Sequence, residues 1–322
     1  MKILICGTHF PHCSEMLQKH LPQDTIVSCP ADQVLTAATH MDVLVPAMHR
    51  VDAQIIAQTS ATLIHQFGVG LEGVDIPAAT EQSIYVANVP GHQGTGNAAS
   101  VSEHAIFLML ALARKFPQAA ENIRQKVFGS PMGKGLLGKT VAIIGVGSIG
   151  TELARRLRNF GVRLLGIKQH PSDEVKETFG FDFLGGSQDL DRILAEADFV
   201  VLALPVTPQT HGIIDTPALA SMKNKAFLIN VGRGPVIDHD ALVEALKQKQ
   251  IAGAGLDVFW DEPTDPSDPL FQYNVIATPH TAGVTDLSYN DIARGLAANV
   301  NRLRAGEPLI NCVNLAEVQA RR

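Results

Sequence analysis

Three side chains late in the sequence have complementary chemistry. Arg233 lies in NVGRGPVID (230–238), Glu262 in DVFWDEP (257–263) and His280 in ATPHTAG (277–283). Each segment follows a short apolar run that reads as a strand. In open α/β sheets ligands collect outside the carboxyl ends of strands, so all three are expected to reach one cleft. An arginine grips a carboxylate with a planar fork. A histidine with an ordinary pKa of about 6.5 donates and accepts protons near neutrality. A carboxylate beside it favours the imidazolium and fixes the tautomer. Together they suit reduction of a 2-keto acid: Arg233 holds the carboxylate, hydride reaches the carbonyl carbon and His280 supplies the proton. Each residue also has an ordinary alternative. Arg233 would then be a surface ion-pair residue, Glu262 a loop carboxylate before Pro263, and His280 a buried structural imidazole.

A hydride donor has an expected place. GVGSIG (145–150) matches G-x-G-x-x-G, with an apolar strand before it and the helical pattern ELARRLRNFG after it. Gly145 permits the tight turn, Gly147 lets backbone approach a pyrophosphate, and Gly150 lets the helix pack on the sheet. The helix N-terminus offers N–H groups and a positive dipole end to the anion. About 20 residues on, the second strand of such units normally ends on an acid that receives the ribose 2′-hydroxyl. Here VRLLGIKQHP (162–171) places Lys168 there, followed by Gln169 and His170. An ammonium attracts a phosphate, so NADP(H) is expected, with Lys168 and His170 near the extra phosphate. The alternative is a solvated lysine and NAD.

The elements that must position these residues alternate between strand and helix. KILIC (2–6), TIVSC (25–29), DVLVP (42–46), ATLIHQF (61–67) and SIYVAN (83–88) read as buried strands. A helix apolar on several faces follows at 97–116, then a Gly- and Pro-punctuated loop at 128–139. A second series reads TVAIIG (140–145), VRLLGI (162–167), DFVVLAL (198–204), KAFLIN (225–230), AGAGLDV (252–258) and NVIAT (274–278). Such alternation predicts parallel sheets with helices on both faces. The expected fold is α/β: two Rossmann-like domains with parallel sheets and a cleft between them. The flavodoxin-like substrate domain covers 1–97 and 289–322, and the dinucleotide-binding domain covers 98–288.

Composition narrows the partners. The chain has 322 residues, enough for two domains with their own cores. A net charge of −6 argues against nucleic acid as the main partner. No 18-residue apolar span is expected, hence no membrane partner. MKILICG reads as a first strand rather than a signal peptide. Four cysteines are too few for a disulfide framework in a chain this long, so the cytoplasm is the expected location. CGTHFPHC (6–13) gathers two cysteines and two histidines, but their spacing is not a standard zinc pattern, and no metal is expected.

The chain resembles the D-isomer-specific 2-hydroxyacid dehydrogenases over nearly its whole length. FGVGLEGVD (67–75), NVPGHQGTGNAASVSEHAIFLMLALAR (88–114), LLGKTVAIIGVGSIG (136–150) and LPVTPQTHGIID (204–215) carry the resemblance, with the three segments named first. It implies that Arg233 anchors substrate, Glu262 partners the histidine and His280 is the acid/base. It implies backbone amides of Val69 and Gly70 for the substrate carboxylate and Asp257 for the nicotinamide carboxamide. Further cofactor contacts fall on Ser148, Ile149, Pro205, Val231 and Gly283. The loop AMHR (47–50) approaches the substrate side chain in such proteins, which implicates Met48, His49 or Arg50 in specificity; the alternative is an ordinary surface loop. The family's VAEH reads Val101-Ser102-Glu103-His104, and its commoner NAD-binding acid is replaced by Lys168. The expected ligands are NADP, or alternatively NAD, and a small 2-keto or 2-hydroxy acid. The helix at 97–116 suggests a homodimer. The rival expectations are a phosphoglycerate-, phosphite- or formate-type dehydrogenase, or a nucleotide-sensing binding protein of the same fold.

Overall fold

Runs of aliphatic and β-branched residues form strands because parallel sheets bury both faces. In the computed structural model, which describes residues 1–91 and 95–321, twelve such strands make two sheets. Residues 92–94, within the stretch 88–114, lie outside the described residues. The chain divides into two compact units, Met1–Asn97 with Thr285–Arg322, and Ala98–Val284.

The first unit holds β1 (Lys2–Cys6), β2 (Thr25–Cys29), β3 (Val43–Val45), β4 (Leu63–His65) and β5 (Tyr85–Ala87). They are parallel in the order β2-β1-β3-β4-β5, the flavodoxin-like arrangement. Contrary to a reading of buried strands throughout, β2 is largely exposed because it is an edge. The long helix Asp286–Ala305 packs on the helix His12–His20 of the same unit.

The second unit holds β6 (Thr140–Ile144), β7 (Arg163–Ile167), β8 (Phe183–Gly185), β9 (Phe199–Leu202), β10 (Phe227–Asn230), β11 (Gly253–Leu256) and β12 (Val275–Ala277). Their order is β12-β11-β10-β9-β6-β7-β8, all parallel. Chain order reverses between β6 and β9, the switch point where such sheets bind ligands. Strand β8 was not expected. Its three residues are too short a run to show periodicity, and pairing with β7 makes it a strand. Two apolar clusters cover the two faces of this sheet. Ile144, Leu202, Leu228 and Leu256 belong to one, and Ile143, Phe199, Val201 and Ile229 to the other. Burial of each such side chain stabilises by roughly 1.5–3 kcal/mol.

The helix expected at 97–116 spans Thr95–Ala113. It stops before Lys115, whose φ of 52° is left-handed, and a second helix starts at Phe116 with Pro117 in its first turn. Within it Gly96–Ala113 reaches the length and apolarity of a membrane span, with a mean hydropathy of 1.2, which corrects the expectation of no such segment. It is apolar because 72% of it is buried, with Leu108 and Leu112 lying on Gly255 of β11.

Candidate active site

The turn after β6 has the shape of an anion cradle. Gly145 has a φ of +101°, and a Cβ there would fall 2.6 Å from the Ala203 carbonyl oxygen. A Cβ on Gly150 would fall 2.4 Å from the Gly145 carbonyl oxygen. Both glycines are therefore needed to close the turn. Gly147 precedes the helix Ser148–Leu157 and has open space where a side chain would stand. Gly147 and Ser148 are exposed and Ile149 is half-buried. The open space at Gly147 leaves room for a pyrophosphate at the start of this helix.

Lys168 is the first residue after β7. Its ammonium donates to the Val146 carbonyl at 2.7 Å, so its charge is held against the glycine turn. His170 is exposed on the loop beyond. Pro205 is exposed after β9, and its carbonyl accepts from Thr210 Oγ1 at 2.7 Å. Val231, after β10, is buried.

The catalytic candidates all lie in the second unit, on the loops leaving β10, β11 and β12. Arg233 follows β10. The buried Asn230 shapes its turn: Nδ2 donates to the Arg233 carbonyl at 2.8 Å, and Oδ1 accepts from the Gly232 amide at 3.0 Å. Arg233 Nη1 donates to the Gly232 carbonyl at 2.8 Å. A Cβ on Gly234 would fall 2.1 Å from the Phe259 carbonyl, so glycine lets this loop touch the one that carries Glu262.

Glu262 follows β11. Its Oε1 accepts from the Phe259 amide at 3.0 Å, and its Oε2 lies 2.7 Å from His280 Nδ1. A carboxylate only accepts, so His280 Nδ1 carries the hydrogen and Nε2 stands on the opposite edge of the ring. Burial pushes the Glu262 carboxyl up. The hydrogen bond and charge of His280, the Phe259 amide and the Arg233 charge outweigh it and hold the carboxyl below its ordinary value. Arg233 is therefore close enough to the pair to act on it electrostatically.

His280 stands in a turn with a φ of 53°. Its amide donates to the Asp257 carbonyl at 2.8 Å. Asp257 is 1% exposed. Its Oδ1 accepts from Thr278 Oγ1 at 2.6 Å and the Thr281 amide at 2.8 Å, and its Oδ2 accepts from the Ala282 amide at 3.0 Å. Gly283 follows directly. Asp257 thus ties down the turn that presents His280. A left-handed, non-glycine residue held by surrounding bonds is a frequent feature of functional sites.

Met48, Val69 and Gly70 belong to the first unit, at the carboxyl ends of β3 and β4. Met48 and Val69 are exposed. Gln66 Nε2 donates to the Ala47 carbonyl at 2.8 Å, and Asn88 Nδ2 donates to the Val69 carbonyl at 2.7 Å, so neighbouring loops brace both positions. Among the described residues no group of three or more His, Cys, Asp or Glu side chains is placed to hold a metal ion. The contributions of Asn230 and Thr278 were not read from sequence. Their only signal is a polar residue at or just beyond the end of an apolar strand.

The sequence profile described as "D-isomer specific 2-hydroxyacid dehydrogenase, NAD binding domain" matches residues 106–282. The D-3-phosphoglycerate dehydrogenase of Archaeoglobus fulgidus is 36% identical over 281 residues, 86% of this chain and 52% of that protein. The chain thus spans about half the length of that relative. The glyoxylate reductase of Thermococcus kodakarensis is 33% identical over 324 residues, covering 96% of this chain and 94% of that protein. The solved NADPH-dependent glyoxylate/hydroxypyruvate reductase of Sinorhizobium meliloti, in complex with NADP and malonate, is 28% identical with a TM-score of 0.80. That match covers 98% of this chain and 97% of the other. With its two parallel sheets, its glycine turn and these relatives, the chain belongs to the D-isomer specific 2-hydroxyacid dehydrogenase family.

Proposed function

We propose that the protein reduces a small 2-keto acid to a D-2-hydroxy acid, with NADPH as the preferred hydride donor. The observation that carries this reading is the His280–Glu262 pair, 2.7 Å apart, with the Arg233 loop packed through Gly234 against the loop that carries Glu262. Arg233 binds the substrate carboxylate and orients the ketone. Bound nicotinamide would supply the hydride to the carbonyl carbon. His280 Nε2 gives its proton to the carbonyl oxygen, which leaves a neutral imidazole that solvent recharges. Glu262 holds the ring and its tautomer through Nδ1.

The turn Gly145–Gly150, with Ser148 and Ile149, is assigned to the pyrophosphate. Pro205, Val231, Asp257 and Gly283 are assigned to the rest of the cofactor. The preference for NADPH rests on Lys168 and His170. The ammonium at the end of β7 offers a 2′-phosphate a cation where a carboxylate would repel it. The NADPH-dependent reductase from Sinorhizobium meliloti supports the same reading. Met48 is assigned to the substrate side chain, and we propose a cytoplasmic homodimer.

The test is cofactor oxidation with glyoxylate, hydroxypyruvate, pyruvate, phenylpyruvate and phosphohydroxypyruvate. Turnover is expected with at least one keto acid, at a higher kcat/KM for NADPH than for NADH. His280→Ala should lower kcat by about 10²–10⁴-fold while NADPH binding stays near wild type. A clear NADH preference removes the role of Lys168. Tight cofactor binding with no turnover across the panel overturns the enzymatic reading in favour of a nucleotide sensor.

A further inference from the structure

We propose that His104 is a positioning residue for the His280 turn, acting through Thr278 and Asp257. Its effect on catalysis rests on the function proposed above; its effect on the turn does not.

The helix Thr95–Ala113 lies over β11. A Cβ on Gly255 would stand 3.1 Å from Leu108 Cβ and 3.3 Å from Leu112 Cδ1. His104 is one helical turn before Leu108, and Asp257 is two residues beyond Gly255 on the same face of the strand. Following the strand to its end and the helix back by one turn brings the two side chains together. His104 Nε2 lies 2.8 Å from Thr278 Oγ1 and 3.6 Å from Asp257 Oδ1.

The hydrogens are ordered by their acceptors. The Thr278 hydroxyl donates to Asp257 Oδ1 at 2.6 Å. Its lone pair then accepts from His104, so Nε2 carries the hydrogen. The same Asp257 carboxylate holds the amides of Thr281 and Ala282, and the Asp257 carbonyl holds the His280 amide. A donor on the helix thus fixes a hydroxyl, the hydroxyl helps to fix a buried carboxylate, and the carboxylate fixes both sides of His280. The His104 ring is 17% exposed and leans on Phe107, with 5.4 Å between ring centroids, which limits its own rotation. Without that donor the Thr278 hydroxyl is free to turn away, and the 278–282 turn loses part of its anchor.

The test compares His104→Leu, which removes the donor, with His104→Gln, whose amide restores one, and with Thr278→Val. Amide hydrogen exchange at Thr281 and Ala282 should be at least about tenfold faster in His104→Leu and Thr278→Val, and near wild type in His104→Gln. The low-field proton signal of the His280–Glu262 bond should broaden in the first two and persist in the third. In turnover, kcat should fall about tenfold in His104→Leu and recover in His104→Gln. The double variant should lose no more than either single one, because both cut one chain. Unchanged exchange and an unchanged His280 signal in His104→Leu and Thr278→Val overturn the proposal. So does an equal loss in the Leu and Gln variants. If the wild type reduces no keto acid, the proposed function falls, and the exchange and NMR results still decide this claim.

Discussion

At the scale of residues, the site depends on how one carboxylate is shared. Glu262 uses Oε1 to hold the Phe259 amide and Oε2 to hold His280. Its folded-state pKa is depressed, so its stabilising effect is present above the ordinary carboxylate range and is lost as pH falls through the folded value. The proposed reduction draws its proton from His280, whose ring this carboxylate holds. Glu262→Gln keeps the shape and removes the charge. Its kcat for keto acid reduction should fall by about tenfold or more, because the ring loses its charged acceptor at Nδ1. An unchanged kcat would show that Glu262 does not hold the ring for proton transfer. Arg233→Lys keeps the charge and loses the planar fork. It should raise the keto acid KM by about tenfold or more, read as a loss of carboxylate binding near 1.4 kcal/mol.

At the scale of elements, the loop after β11 has its own clamp. The ring of His239, the first residue of the helix His239–Lys247, lies 2.9 Å from Asp240 Oδ1 and 2.9 Å from Asp268 Oδ2. It also meets Trp260 edge to face at 4.7 Å, and Trp260 Nε1 donates to the Ile237 carbonyl at 2.6 Å. Trp260 and Asp268 lie on either side of Glu262 in sequence, so the clamp holds the loop that presents Glu262. Burial pushes the His239 imidazole down, but Asp240 and Asp268 outweigh it and raise it above the ordinary histidine value. A raised histidine stabilises below its unfolded pKa of about 6.5, and that contribution is lost as pH rises through the folded value. Trp260 is the single tryptophan, so its fluorescence reports this contact. Emission should rise as pH increases above about 6.5, because a charged imidazole quenches indole more strongly than a neutral one. His239→Gln should abolish the step; a step that survives the substitution would assign it to another group. The glycine turn and most strands were legible at this scale, because a chirality requirement and a run of apolar residues are local properties. Strand β8 and the exposure of β2 were not, because partners in the sheet decide them.

At the scale of the whole molecule, the second unit carries apolar side chains that its own core does not cover. Ile123, Phe128, Met132 and Leu137 are each at least 80% exposed, and Phe116 is also exposed. Large apolar side chains left this exposed support the proposed homodimer. Sedimentation at micromolar concentration should therefore report a dimer, and the paired change Ile123→Glu with Phe128→Glu should yield a monomer that still binds cofactor. A wild-type monomer would remove the homodimer. The sequence by itself determined the alternation of strands and helices, the glycine cradle and the chemical kinds of side chain at the strand exits. Each of these depends on a residue and its near neighbours. Only the tertiary structure decided which atoms join Glu262 to His280, that Asp257 ties down the turn around His280, and that His104 completes that tie from a helix far earlier in the chain. Such bonds join positions 18 to 174 residues apart, and strand order and helix packing bring their ends together only when the sheet assembles as one cooperative unit.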